Sequence, residues 1–157
     1  MAVRVQTEPI DLAGEVAALR AGRADLGAVL TFTGAVRDSA GGQRLAAMTL
    51  EHYPGMTEAE LARVEAEALA RWPLAASLIV HRVGRLLPGD DIVLVVTASA
   101  HRAATFEATD FLMDYLKTSA PFWKQEELAD GTVKWVDAKA SDEKAKARWV
   151  DKTPQTP

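Results

Sequence analysis

Residues 77–98 read SLIVHRVGRLLPGDDIVLVVTA. Two runs rich in Ile, Val and Leu, 77–83 and 91–98, flank a Leu-Pro-Gly-Asp turn at 87–90. Proline presets φ for such a turn and glycine supplies its tight corner, so the chain reverses within a few residues. A parallel pair needs a crossover of a dozen residues or more, and none fits here. The two strands are therefore antiparallel, and their near-continuous apolar content places them at the centre of a sheet.

Outward from this pair the chain alternates helix and strand patterns. Upstream, Thr57 and Glu60 have capping-box spacing. Leu61, Val64, Ala68 and Trp72 then recur on one helical face until Pro73 stops it, with Glu67 and Arg71 at i,i+4 on the outside. Earlier still, residues 3–6 start a strand and Asp11 caps a helix bearing Leu12, Val16 and Leu19. GAVLTF at 27–32 reads as a buried strand, RDSAGGQR at 37–44 as a polar loop, and 45–52 as a further strand. Downstream, a helix over 101–118 carries Ala104, Ala108, Phe111, Leu112 and Tyr115 on its main stripe, and Phe106, Met113 and Lys117 on a second face. Residues 122–128 and 132–136 form a hairpin around Asp130-Gly131, and 141–149 a last short helix. Several strand pairs joined by short turns, mixed with helices, predict an α+β fold with a largely antiparallel sheet.

A chain of 157 residues suits one domain over 1–150, with the apolar-poor tail DKTPQTP at 151–157 expected to fray. Net charge −4 lacks the basic footprint of a nucleic-acid binder. No apolar run reaches membrane-span length and the first residues show no signal-peptide pattern, so no membrane association and a cytoplasmic location are expected. With no cysteine, the chain has no thiolate metal site and no persulfide. His52, His81 and His101 share no metal-ligand spacing, and His52 and His81 read as packed structural groups. No cofactor is expected.

Chemistry concentrates at 113–124, MDYLKTSAPFWK. Lys117 falls in a last helical turn, where a cation suits the dipole and Asp114 offers an ion pair. Lys124 shares a strand face with Phe122 and Glu126. Spacing alone favours ordinary surface lysines. The aromatic frame opens another reading, since desolvation favours a neutral amine able to act as base or nucleophile. His101-Arg102 opens the long helix, where backbone N–H groups attract anions; an exposed basic pair reads equally well. Arg37, after TFTGAV, reads on its own as an exposed arginine entering a mobile loop.

Taken together, TFTGAVRD, LEHYPGMTE, IVHRVG, PGD, ASAHR and MDYLKTSAPFWKQE resemble the large subunit of molybdopterin synthase, the MoaE family, over roughly residues 27–149. The resemblance implies an α/β-hammerhead with an added, largely antiparallel β subdomain. It implies a sulfurtransferase that forms the dithiolene of molybdopterin from cyclic pyranopterin monophosphate. Sulfur would come from the C-terminal thiocarboxylate of a small ubiquitin-like subunit, the MoaD type, bound to a homodimer within a heterotetramer. The lack of cysteine agrees with an external sulfur donor. Carried over by motif, Lys117 and Lys124 are the implied catalytic residues, Lys117 on the tail side and Lys124 on the pterin side. Ala35, Val36, Arg37, His101, Arg102, Lys117, Lys124, Gln125 and Glu126 are the implied substrate-binding positions. Ala35 departs from the longer side chain that relatives often carry there. Against this stands a non-catalytic dimeric scaffold that docks a ubiquitin-like tail.

Overall fold

A computed structural model describes residues 2–136 and 140–150, and the side chains of all of these but 140–143. The tail at 151–157 lies outside the described residues.

The central pair forms as its turn dictates. Strands β5 (Leu74–Arg82) and β7 (Asp91–Ser99) are antiparallel, with Leu78 opposite Val96 and Val80 opposite Leu94. They occupy the middle of a four-stranded sheet ordered β1-β5-β7-β2, with β1 (Ala2–Gln6) parallel to β5 and β2 (Ala28–Ala35) antiparallel to β7. One face of this sheet carries Ile79, Val93 and Val95 against helices α2 (Met56–Arg71) and α3 (Arg102–Thr118). The other face carries Leu78, Val80, Leu94 and Val96 beneath Leu12, Val16 and Leu19 of helix α1 (Leu12–Arg20). Period-2 alternation along β5 and β7 thus feeds both layers, which explains their continuous apolar sequence.

A second sheet contains β3 (Ser39–Ala40), β4 (Gln43–His52), β8 (Phe122–Leu128) and β9 (Val133–Val136), with β6 (Gly84–Leu86) also on β4. All its pairings are antiparallel. Val36, Leu45, Met48, Leu50, Leu86 and Leu128 form its core. The only parallel pairing among the described residues is β1 with β5, so the α+β architecture expected from the short connections is the one found.

Two local readings change. Residues 27–32 are not a buried strand: β2 is an edge, and Phe32 on it is 36% exposed. A short apolar run does not distinguish a central strand from an edge whose outer side another surface can cover. The cap of α2 also differs. Glu58, not Glu60, accepts the Gly55 N–H at 2.7 Å, while the Thr57 hydroxyl turns back to the Tyr53 backbone. Glu60 instead pairs with Arg63. A helix α4 (Ala140–Ala147) closes the described chain and leads to Trp149, which is buried against Trp72 and Phe111.

Candidate active site

The two sheets and the end of α3 enclose a cavity of about 460 Å³. That volume suits a drug-sized ligand. Its floor is apolar, made by Leu45, Met48 and Leu50 of β4 with Ile92, Leu116 and Phe122. Its polar groups come from three directions.

The first is the β2–β4 connection, which brings Ala35, Val36, Arg37 and Ser39 to the wall. The loop expected over 37–44 contains a hairpin, with Ser39 opposite Arg44 and Ala40 opposite Gln43. Gly41 and Gly42 have φ of +57° and +80°, the left-handed pair that a two-residue hairpin turn requires. The turn therefore fixes where Arg37 and Ser39 enter. Arg37 remains exposed.

The second direction is the last turn of α3, with Lys117 and Thr118. The Asp114–Lys117 ion pair available by spacing does not form. Asp114 is occupied by the Arg148 guanidinium at 2.9 Å and the Trp149 indole N–H at 2.6 Å. Among the described residues, no hydrogen bond or ion pair holds the Lys117 ammonium. It stands exposed at the cavity rim, so the desolvated amine suggested by its aromatic neighbours is not found.

The third direction is β8. Phe122, Lys124 and Glu126 share the strand face that borders the cavity, as their alternate spacing requires. Lys124 is half-buried. Glu126 is only 7% exposed and has no protein partner among the described residues. Among the described residues no buried side-chain polar atom lacks a partner, so the carboxylate of this largely buried residue opens to the cavity, placed for a ligand that supplies donors. Gln125 points to the opposite face, where its strand neighbours are Thr49 and Trp135, and it does not line the cavity.

His101 and Arg102 are also absent from this wall. They are exposed at the start of α3, and Lys117 is at its end. At 1.5 Å per residue the separation along the helix is about 24 Å. One chain thus assembles Ala35, Val36, Arg37, Lys117, Lys124 and Glu126, and leaves His101, Arg102 and Gln125 outside.

One residue read as structural also faces the cavity. His81 is 7% exposed and stacks on Phe122 with ring centroids 3.9 Å apart. Desolvation, followed by the charges of Lys117 and His52, pushes its pKa down to about 4, against the opposing effect of a hydrogen bond to the Arg82 carbonyl. The imidazole is neutral at physiological pH. In the sequence His81 sits in an apolar run, and nothing there signals a cavity. His52, by contrast, is the packed group its context suggested, with Nδ1 3.3 Å from the Thr57 hydroxyl.

The arrangement combines three cationic side chains with one buried carboxylate around an apolar floor. It suits a ligand that carries negative charge and hydrogen-bond donors on a partly apolar body.

Known proteins resemble this chain closely. A molybdopterin synthase catalytic subunit of Mesorhizobium japonicum is 56% identical, across 94% of this chain and 92% of that protein. The structure of a molybdopterin biosynthesis MoaE protein from Burkholderia ambifaria superposes with a TM-score of 0.80 at 55% identity, covering 95% of this chain and 98% of the other. That of a molybdopterin synthase from Staphylococcus aureus gives 0.78 at 32% identity, covering 85% and 95%. The profile of the MoaE protein family matches residues 5–119, and the chain belongs to that family.

Proposed function

We propose that this chain is the catalytic subunit of a cytoplasmic molybdopterin synthase. It moves sulfur from the C-terminal thiocarboxylate of a small, ubiquitin-like MoaD-type subunit to cyclic pyranopterin monophosphate, building the dithiolene. The observation that carries the reading is the cavity's polar set. Arg37, Lys117 and Lys124 offer cations for a phosphate and a thiocarboxylate, and unpartnered Glu126 offers an acceptor for the N–H edge of a pterin. The chain has no cysteine, which agrees with sulfur brought by another protein.

Lys117 at the rim meets the partner's tail, and its ammonium polarises the acyl group as sulfur leaves. Lys124, deeper on β8, serves the phosphorylated pterin. In each transfer the sulfur joins a pterin side-chain carbon as a C–O bond at that carbon breaks, the oxygen leaving with the opening cyclic phosphate or as water. Water then cleaves the resulting thioester and leaves the partner's tail as a carboxylate.

His101 and Arg102 complete the site from a second copy. The outer edge of β2 is unpaired in the sheet order, exposes Phe32, and has exposed Phe106 of α3 nearby, a surface that calls for cover. A two-fold pairing of β2 with itself is antiparallel, so the Ala28 end of one copy meets the Ala35 end of the other. Ala28 sits opposite Ser99, just before His101 and Arg102, whereas Ala35 borders the cavity. Each cavity then receives the partner copy's basic pair, and one small subunit docks at each cavity to make a heterotetramer.

The test is turnover with thiocarboxylated small subunit and cyclic pyranopterin monophosphate. Wild type should form the dithiolene. Lys117→Ala should retain dimerisation and small-subunit binding while its turnover falls about 10²-fold or more, the scale of losing one charge-stabilising donor. Near-normal turnover by Lys117→Ala would refute its assigned role.

A further inference from the structure

The reaction needs water to cleave a thioester beside Lys117, and the cationic side chains of the cavity stabilise charge there without serving as the base. His81 has the geometry for it. The Arg82 carbonyl lies 2.9 Å from Nδ1 and can only accept, so Nδ1 carries the proton and Nε2 holds a lone pair. Among the described residues Nε2 has no hydrogen-bond partner, and no buried side-chain polar atom is left unsatisfied. Nε2 therefore reaches solvent, and the space the ring borders is the cavity. The stack on Phe122 fixes the ring plane, so the lone pair has one direction.

The charged and titratable groups around the ring are Lys117 on α3, His52 on β4, and Lys124 and Glu126 on the β8 face. Its strand neighbours, Val5 on β1 and Val93 on β7, bring no charge. Burial and the two basic neighbours keep the imidazole unprotonated. The negative charge that develops on the acyl oxygen beside Lys117 as water attacks offsets the larger of the two repulsive charges and makes Nε2 a better base at that step.

We propose that His81 is the general base for the hydrolytic half of each sulfur transfer. Water donates its proton to His81 Nε2 as its oxygen bonds to the acyl carbon. The acyl C–S bond then breaks, the electron pair leaves with the sulfur on the pterin, and the partner's tail departs as a carboxylate. The protonated imidazole returns its proton to solvent. A backbone carbonyl orients the base here, the role a carboxylate plays in better-known triads. This inference rests on the sulfur-transfer reading of the cavity.

The experiment compares wild type, His81→Gln and His81→Phe in the assembled complex, with thiocarboxylated small subunit and cyclic pyranopterin monophosphate. His81→Phe keeps an aromatic ring to stack on Phe122 and removes Nε2. Both variants should slow turnover at least tenfold. Intact-mass measurement of the quenched reaction should show a covalent small subunit–pterin adduct that wild type does not accumulate. Turnover within threefold of wild type in either variant, or slow turnover with no adduct, would overturn the proposal. If the variants do not fold, ring nitrogen NMR of the wild-type protein decides. The Nε2 resonance should be that of an unprotonated nitrogen at neutral pH and should shift when the small subunit docks. An unmoved resonance overturns the proposal. A wild type that forms no product at all refutes the sulfur-transfer reading and this inference with it, whereas a failure of the variants' phenotype alone leaves that reading intact.

Discussion

Lys117 owes its availability to a competition for Asp114. Asp114 is the helix neighbour that would hold it, but Arg148 and the Trp149 indole take that carboxylate, and Arg148 also reaches Asp110 at 2.6 Å. The C-terminal segment therefore prepares the ammonium without touching it. Arg37→Ala removes a cation at the cavity wall and leaves the apolar floor intact. It should weaken apparent pterin affinity about tenfold with little change in small-subunit binding, as titration of each ligand would show. His81 gives a prediction with a defined sign. Its folded pKa, about 4, lies below the ordinary 6.5, so the unfolded chain binds more protons between these values. Its contribution to stability is fully present above about pH 6.5 and is lost as pH falls toward 4, amounting to about 3 kcal/mol at most. Urea unfolding at pH 7 and pH 4.5 should show this loss in wild type, and a smaller loss in His81→Phe.

Elements position these residues through contacts of very different legibility. The β5–β7 pair was readable because one proline-glycine turn and two apolar runs admit only an antiparallel pairing. The stripes of α2 and α3 were readable for the same reason: Leu61, Val64, Ala68, Ala108, Phe111 and Leu112 repeat with helical period and are all buried. Lys124 and Glu126 could be placed on one face from their spacing. Illegible were the facts that depend on what lies across a gap. No local pattern reveals that Asp114 is taken by Trp149, which is 35 residues away, that β2 is an edge, or that His81 borders a cavity. The family motifs brought His101 and Arg102 into the substrate set, yet only the length of α3 reveals that one chain separates them from Lys117. The start of β2 carries an element-scale prediction. A Cβ on Gly27 would lie 2.1 Å from the Ala100 carbonyl oxygen, so the backbone there must move. Gly27→Ala should cost about 1–3 kcal/mol in denaturant unfolding. It should also displace the start of α3 and so impair substrate binding, while the Lys117 end stays in place.

At the scale of the whole molecule, the proposed dimer makes the cavity one half of a site. The described part of one chain supplies the floor, Arg37, Lys117, Lys124, Glu126 and the neutral imidazole of His81. In the proposed two-fold pairing, the basic pair at the head of α3 is supplied across the β2 edge by a second copy. Exposed Phe32 and Phe106 lie at the face that this pairing would cover. The most direct measurement uses two variants that the account predicts to be strongly impaired alone. Lys117→Ala and Arg102→Ala are mixed in equal amounts, dissociated and reassembled with thiocarboxylated small subunit, and turnover of cyclic pyranopterin monophosphate is followed. Half of the dimers then pair one variant with the other. In each of these, one cavity has both defects and the other has none, so turnover should recover to roughly a quarter of the wild-type value. If each cavity is built from one chain alone, every cavity in the mixture keeps a defect. Turnover that stays at the level of the separate variants would contradict the account.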